Sequence, residues 1–172
     1  TNAYTEGTFI NNGLLLTLSG TGTLAPTGGV AINASSRLDI SAITASSQTI
    51  LTLTGDSSDA EVILGVKNGT VNSSITTTYP GFISGTGSFT KQGTGTQILT
   101  GSNTYSGGTT VTGGVLQGNT TSLQGNVLNN ASLVFDQAAA GTYAGNISGS
   151  GSVTKQNSGT LIVTGTNTYS GG

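Results

Sequence analysis

Residues 81–108 read GFISGTGSFTKQGTGTQILTGSNTYSGG, and residues 145–172 read GNISGSGSVTKQNSGTLIVTGTNTYSGG. The two segments align at an offset of 64 without a gap, and 20 of the 28 positions are identical. Most of the differences are mild: Thr86/Ser150, Phe89/Val153, Leu99/Val163 and Ser102/Thr166. Apolar positions stay apolar at Ile83/Ile147, Phe89/Val153, Ile98/Ile162 and Leu99/Val163. Gly85, Gly87, Gly95, Gly101, Gly107 and Gly108 all recur, as Gly149, Gly151, Gly159, Gly165, Gly171 and Gly172. Strand centres and turn glycines are held while small polar residues drift. That is the behaviour of a structural repeat.

The sequence around the repeat has the same texture. "TTVTGGVLQG", "NVLNN" and "ASLVFDQ" are short runs rich in Val, Leu and Thr, bounded by Gly, Asn and Ser. The first half offers "GLLLTLSG", "GVAIN", "RLDIS", "TILTLTG" and "AEVILGV". Such runs read as strands. The only Ala-rich stretch, "QAAAG", is too short for a stable helix. A sandwich, a barrel and a solenoid all satisfy this pattern. A gapless 64-residue repeat selects the solenoid, because coils of about 20 residues make it roughly three coils long. The expectation is all-β: a right-handed parallel β-helix of about eight coils. It forms a single segment over residues 1–172, with repeat units at 81–108 and 145–172 and looser coils over 1–80.

Composition supports this and excludes other classes. Only 6% of residues are charged, and the formal net charge is −2. Stacked coils explain the shortage, since like charges on adjacent coils repel and threonines do not. The cations are Arg37, Lys67, Lys91 and Lys155, too few and too scattered for nucleic acid. Without Cys or His there is no disulfide, no thiolate metal site and no Ser-His or Cys-His nucleophile. No apolar run approaches the roughly 20 residues of a membrane helix. Thr1 and the abrupt stop after the second NTYSGG read as the bounds of a piece of something longer.

The stretch SGTGSFTKQGTGTQILTGSNTYSGGTTVTGGVLQ, residues 84–117, resembles the passenger-associated transport repeat, also called the autotransporter-associated β-strand repeat. The pattern lands on Gly85, Gly87, Phe89, Thr90, Lys91, Gly95, Thr96, Ile98, Gly101, Asn103, Tyr105, Gly107, Gly108 and Leu116. In the second copy it lands on Gly149, Gly151, Val153, Lys155, Gly159, Gly165, Asn167, Tyr169, Gly171 and Gly172. Gln97 departs from it, standing where the family usually carries Leu. Residues 37–65 match more loosely the coil that often precedes the repeat. The resemblance implies a non-enzymatic passenger segment of a Gram-negative autotransporter, exposed at the cell surface. It implies a stiff stalk for adhesion or autoaggregation that assists export. The implied partners are neighbouring coils of the same chain, host surface or matrix, and sister-cell passengers. The family's outer-membrane translocator barrel lies downstream, and nothing in this chain corresponds to it. The alternative is a segment that itself contacts host surfaces or sister cells. A carbohydrate-active β-helix enzyme is the lesser reading.

The candidate chemistry is sparse. The carboxylates are Glu6, Asp39, Asp56, Asp59, Glu61 and Asp136. Asp56, Asp59 and Glu61 lie close together in sequence and are the one Ca²⁺ or acid-pair candidate, against the plainer reading of a solvated turn. No cofactor is expected. Arg37 and Asp39 share a strand face two residues apart and read as a surface ion pair. Lys91 and Lys155 read as solvated, outward residues that discourage stray edge pairing. The glycine-rich stretches lack the Gly-Lys-Ser/Thr of a phosphate loop. A threonine ladder of the ice-binding kind would need a regular Thr-x-Thr in every coil, and the spacing looks irregular. The two NTYSGG copies read as coil corners. Tyr105 and Tyr169 are expected to lay their rings over a neighbouring coil, their hydroxyls reaching solvent or backbone. The paired glycines supply the turn angles.

Overall fold

A computed structural model describes residues 6–171. Among these residues there are twenty strands and no helix, and every strand pairing is parallel. The chain winds through about eight coils, each passing over three faces in the same order. Coil one holds β1 (Thr8–Ile10) and β2 (Leu15–Gly20). Coil two holds β3 (Val30–Ile32), β4 (Arg37–Ile43) and β5 (Ser47–Ile50). Coil three holds β6 (Leu53–Gly55), β7 (Glu61–Ile63) and β8 (Asn68–Asn72). Coil four holds β9 (Thr77–Tyr79), β10 (Phe82–Ser84) and β11 (Phe89–Gln92). Coil five holds β12 (Thr96–Leu99) and β13 (Thr109–Val111), with the first NTYSGG between them. Coil six holds β14 (Val115–Gly118) and β15 (Val127–Asn129). Coil seven holds β16 (Ser132–Asp136), β17 (Gly141–Tyr143) and β18 (Ile147–Ser148). Coil eight holds β19 (Ser152–Gln156) and β20 (Leu161–Val163).

The first face stacks β1-β3-β6, then β9-β12-β14-β16-β19. The second stacks β2-β4-β7-β10, loses its strands in coils five and six, and resumes as β17-β20. The third is β5-β8-β11-β13-β15-β18. Alternation along each strand sends every second side chain inward. The inward residues therefore form columns along the axis: Leu16, Leu38, Val62 and Ile83 on the second face, and Phe89, Thr109, Val127 and Ile147 on the third. One coil alone has no core; each buries its apolar side chains only between neighbours.

The core is not wholly apolar. Gln48, Lys91, Gln97, Asn103, Asn129 and Gln137 are all buried. Most of them sit at or beside a corner, where the strand ladder breaks and main-chain groups lose their partners. Each supplies replacements, as a buried polar group must. Gln48 accepts from Leu24 N–H and donates to Thr49 O. Asn129 donates to Ser152 O and accepts from Ala131 N–H. Gln97, the departure from the family pattern, donates to Leu53 O at 3.2 Å and accepts from the Thr77 hydroxyl at 2.9 Å. It stands in one column with Thr77 and Leu116. A leucine there would leave Thr77 without its acceptor.

Candidate functional site

The two repeat copies make one set of main-chain and side-chain bonds. Ile83 N–H donates to Asn103 Oδ1 at 2.7 Å, and Ile147 N–H donates to Asn167 Oδ1 at 2.9 Å. Thr104 N–H donates to Ile83 O, and Thr168 N–H to Ile147 O. Ser106 N–H bonds Gly85 O, and Ser170 N–H bonds Gly149 O. Thr100 N–H reaches Tyr79 O, and Thr164 N–H reaches Tyr143 O. The NTYSGG segment thus lies on the strand that begins its own repeat, one coil back. Its Asn side chain takes over one rung of the ladder, so the segment is not a strand yet leaves the N–H beneath it satisfied. Gly172 lies outside the described residues.

The copies nevertheless sit on different faces. The first runs from β10 on face two through β11 and β12 back to face two. The second runs from β18 on face three through β19 and β20, and its Asn167 segment returns to face three. Phe89, Thr109, Val127 and Ile147 are successive partners, so Phe89 and Ile147 are three coils and 58 positions apart. The remaining six residues carry the chain to Val153 on the next face. The expectation of three coils per repeat is therefore corrected to three coils and a third. The motif closes a coil wherever it begins, because its bonds are to itself and not to a particular face.

Glycine identity follows from contact. A Cβ on Gly87 would lie 1.9 Å from Lys67 O, and one on Gly101 would lie 2.0 Å from Gly81 O. At these corners backbone rests on backbone. Gly93 has a left-handed φ of 73°, and its counterpart Asn157 keeps it at 62°. Asn is the side chain that best tolerates this region, which explains the exchange.

Lys91 does not point outward. Its side chain is wholly buried, between Val71 and Val111 in an inward column. Nζ donates to Gln92 O at 2.5 Å, Gly93 O at 3.1 Å and Gly113 O at 3.2 Å. The ammonium ties the corner of coil four to that of coil five, and burial pushes its pKa below the ordinary lysine value. Lys155 bends the same way, donating to Asn157 O, and is exposed among the described residues, where β19 has a strand partner on one side.

Tyr105 is 1% exposed and Tyr169 40% exposed. The Tyr105 ring packs against Phe89 with centroids 6.1 Å apart. Its hydroxyl is withdrawn from solvent: it bonds Thr109 Oγ1 at 2.8 Å and lies against the Gln124 main chain, to whose carbonyl Thr109 also donates. Burial raises the Tyr105 pKa.

The repeat also extends upstream, to Thr78-Tyr79 and Thr142-Tyr143. Tyr143 O–H donates to Gly125 O at 2.6 Å. Tyr79 is equally buried, but its hydroxyl has no partner. The reason is one side chain away. Ala60 O, beneath Gly81 as Gly125 O is beneath Gly145, already accepts Phe82 N–H. In the second copy the matching N–H, of Asn146, turns to Asn126 Oδ1 and leaves Gly125 O to the tyrosine. Tyr79→Phe is expected to stabilise the chain by about 1 kcal/mol, and Tyr143→Phe to destabilise it by a similar amount. Denaturant midpoints of the two variants check this; equal shifts of one sign would refute it.

The remaining candidates separate. Arg37 pairs with Glu61 on the next coil at 3.4 Å, not with Asp39, because register places Arg37 beside Glu61. Asp39 instead accepts from Ser41 N–H. Asp56 accepts from Ala34 N–H, and Glu61 also accepts from Ser84 Oγ. Asp56, Asp59 and Glu61 form no cluster, and no group of three acidic side chains able to hold a metal occurs among the described residues. Thr49, Thr70, Thr90 and Thr110 do fall in register on face three, so the threonine ladder is more regular than the sequence suggests. Thr70 and Thr90 are buried, however, and bonded to the Asn68 side chain, which closes the ladder to ice.

A family model described as the passenger-associated transport repeat matches residues 89–117 and 153–172. No curated protein and no solved structure matches the chain. The matched residues carry the Lys, Asn, Tyr and paired glycines whose bonds are set out above. Residues 89–117 and 153–172 thus match the repeat associated with autotransporter passengers, and they do so with one shared set of coil-closing bonds.

Proposed function

We propose that this segment is a non-catalytic, stiff stalk, anchored through a downstream outer-membrane barrel, whose repeats also assist export. The observation that carries the reading is the bonding of the two copies. Each closes a coil with its own Asn and locks it to the strand beneath, on whichever face it starts. A rod made this way needs neither disulfide nor metal. Coils that close on themselves as they emerge add one rung set at a time, which biases the chain outward. The carboxylates are dispersed among structural bonds, which favours a spacer over a hydrolase.

The test is deletion of residues 82–145 from the secreted protein. Asn146 then follows Gly81, and the second copy moves to the face vacated by the first. The shortened chain is expected to fold to a β-rich monomer and to be secreted more slowly. Secretion at the normal rate would sink the export role, and failure to fold would sink the self-closing coil.

A further inference from the structure

Asn followed by Gly occurs twice in the chain, at Asn12-Gly13 and Asn68-Gly69. Such a pair is chemically labile, because glycine has no side chain to keep its nitrogen from the Asn side-chain carbon. The fold holds the two pairs differently. Asn12 and Gly13 are exposed on coil one, in a left-handed turn with φ of 60° and 72°, and Gly13 N–H donates to Ala34 O at 2.9 Å. Asn68 and Gly69 begin β8, which has β5 on one side and β11 on the other. Asn68 N–H donates to Ser46 O and Gly69 N–H to Ser88 O, both at 3.0 Å. The Asn68 side chain is committed as well. Its Nδ2 donates to Thr70 Oγ1 at 3.2 Å, and its Oδ1 accepts from the hydroxyls of Ser88 and Thr90, each at 3.1 Å. The amide thus ties coil three to coil four, which is why Asn stands here despite its lability.

We propose that Asn68 is a site of spontaneous deamidation that the folded stack suppresses, so that the chain carries a covalent record of time spent unfolded. In the reaction the Gly69 nitrogen gives up its proton and bonds Asn68 Cγ. The Cγ–Nδ2 bond breaks, and the nitrogen leaves with that proton as ammonia. Water then opens the cyclic imide. Attack at Cγ leaves aspartate. Attack at the main-chain carbonyl carbon leaves isoaspartate, whose main chain runs through Cγ and is one carbon longer. In β8 the backbone is extended and the Gly69 N–H is held by Ser88 O, so ring closure waits until coils three and four part. The two products differ in consequence. Aspartate keeps the acceptor for Ser88 and Thr90, and the Thr70 hydroxyl rotates to donate to it. Isoaspartate sets Thr70 and Val71 out of phase with the columns Thr49–Thr70–Thr90 and Ile50–Val71–Lys91. It therefore prevents coil three from closing on coil four. A chain kept from folding loses, molecule by molecule, its ability to fold.

The test is incubation of the whole chain in mildly alkaline buffer, folded and in urea, with peptide mapping by mass spectrometry that separates aspartate from isoaspartate. Asn68 is expected to convert at least about a hundredfold more slowly in the folded chain than in urea. In the folded chain Asn12, exposed on coil one, is expected to convert before Asn68. After a dwell in urea the chain is returned to buffer and the protease-resistant fraction is mapped. Isoaspartate at position 68 should be depleted from that fraction, and aspartate should not. Two variants isolate the site. Gly69→Ala slows conversion, and its Cβ would meet only Leu64 Cδ2, at 2.8 Å, the movable end of a side chain beside a cavity of about 20 Å³. Asn68→Asp carries the tolerated product from the start and is expected to fold like the parent. Equal rates in buffer and urea, or Asn68 converting before Asn12 in the folded chain, would overturn the proposal. So would isoaspartate at 68 in the refolded fraction, an Asn68→Asp chain that does not fold, or a Gly69→Ala chain that converts at position 68 as fast as the parent in urea. The stalk reading survives each of these failures, because it rests on the bonds of the two repeat copies and not on Asn68.

Discussion

Gly101→Ala is expected to destabilise the solenoid by more than about 4 kcal/mol. The added Cβ would sit 2.0 Å from Gly81 O, 2.6 Å from Gly81 C and 2.7 Å from Pro80 O. All three are backbone atoms of the coil beneath, so no side chain can swing aside. Relief requires the coils to part at that corner, and parting breaks the bonds beside it, Thr100 N–H to Tyr79 O and Ile83 N–H to Asn103 Oδ1. Gly28→Ala is the control: its nearest contact would be 3.3 Å, and a cost under about 1 kcal/mol is expected. Because coils unfold as coupled neighbours, hydrogen exchange resolved by coil is the better readout. Protection should drop first in coils four and five. A Gly101→Ala chain within 1 kcal/mol of the parent would show that the corner is not backbone on backbone.

Lys91→Met is expected to cost about 3 kcal/mol, and Lys155→Met less than about 0.5 kcal/mol. Methionine fills a similar length but donates nothing. The carbonyls of Gln92, Gly93 and Gly113 then lose their shared donor inside the stack. At Lys155 the same substitution removes one exposed bond to Asn157 O, and water replaces it. The pair occupies one repeat position, and among the described residues only Lys91 has a coil packed on both sides. Paired denaturation curves read that difference directly. Equal effects would mean that the lysine acts through local sequence and not through the tie between coils.

Much of the fold was legible before any coordinates. Gly85, Gly87, Gly95 and Gly101 recur at one offset with apolar residues between them, and only stacked coils demand both at once. The shortage of charge pointed the same way. The site was less legible. Lys91 reads as a surface residue because a charged side chain in a strand normally faces water. What overrides that habit is a set of three carbonyls, one of them 22 residues away in Gly113. Arg37 was assigned to Asp39 because sequence shows neighbours along a strand, whereas its partner Glu61 is a neighbour across coils, fixed by register. Tyr79 and Tyr143 went unnoticed because their flanks differ, and their opposite hydroxyl environments turn on whether residue 82 or 146 uses the main-chain acceptor.

By itself the sequence determined that the chain stacks, that glycines sit where coils touch, and that two stretches perform one task. These follow from local chemistry: which residues form strands, which lack a Cβ, and which recur. The tertiary structure decided the rest. It set the second repeat one face round from the first and turned Lys91 inward. Each depends on how many residues a coil takes to come round, 17 in one place and 20 in another. That length is set by the packing of corners against the coil below, which no window of sequence contains.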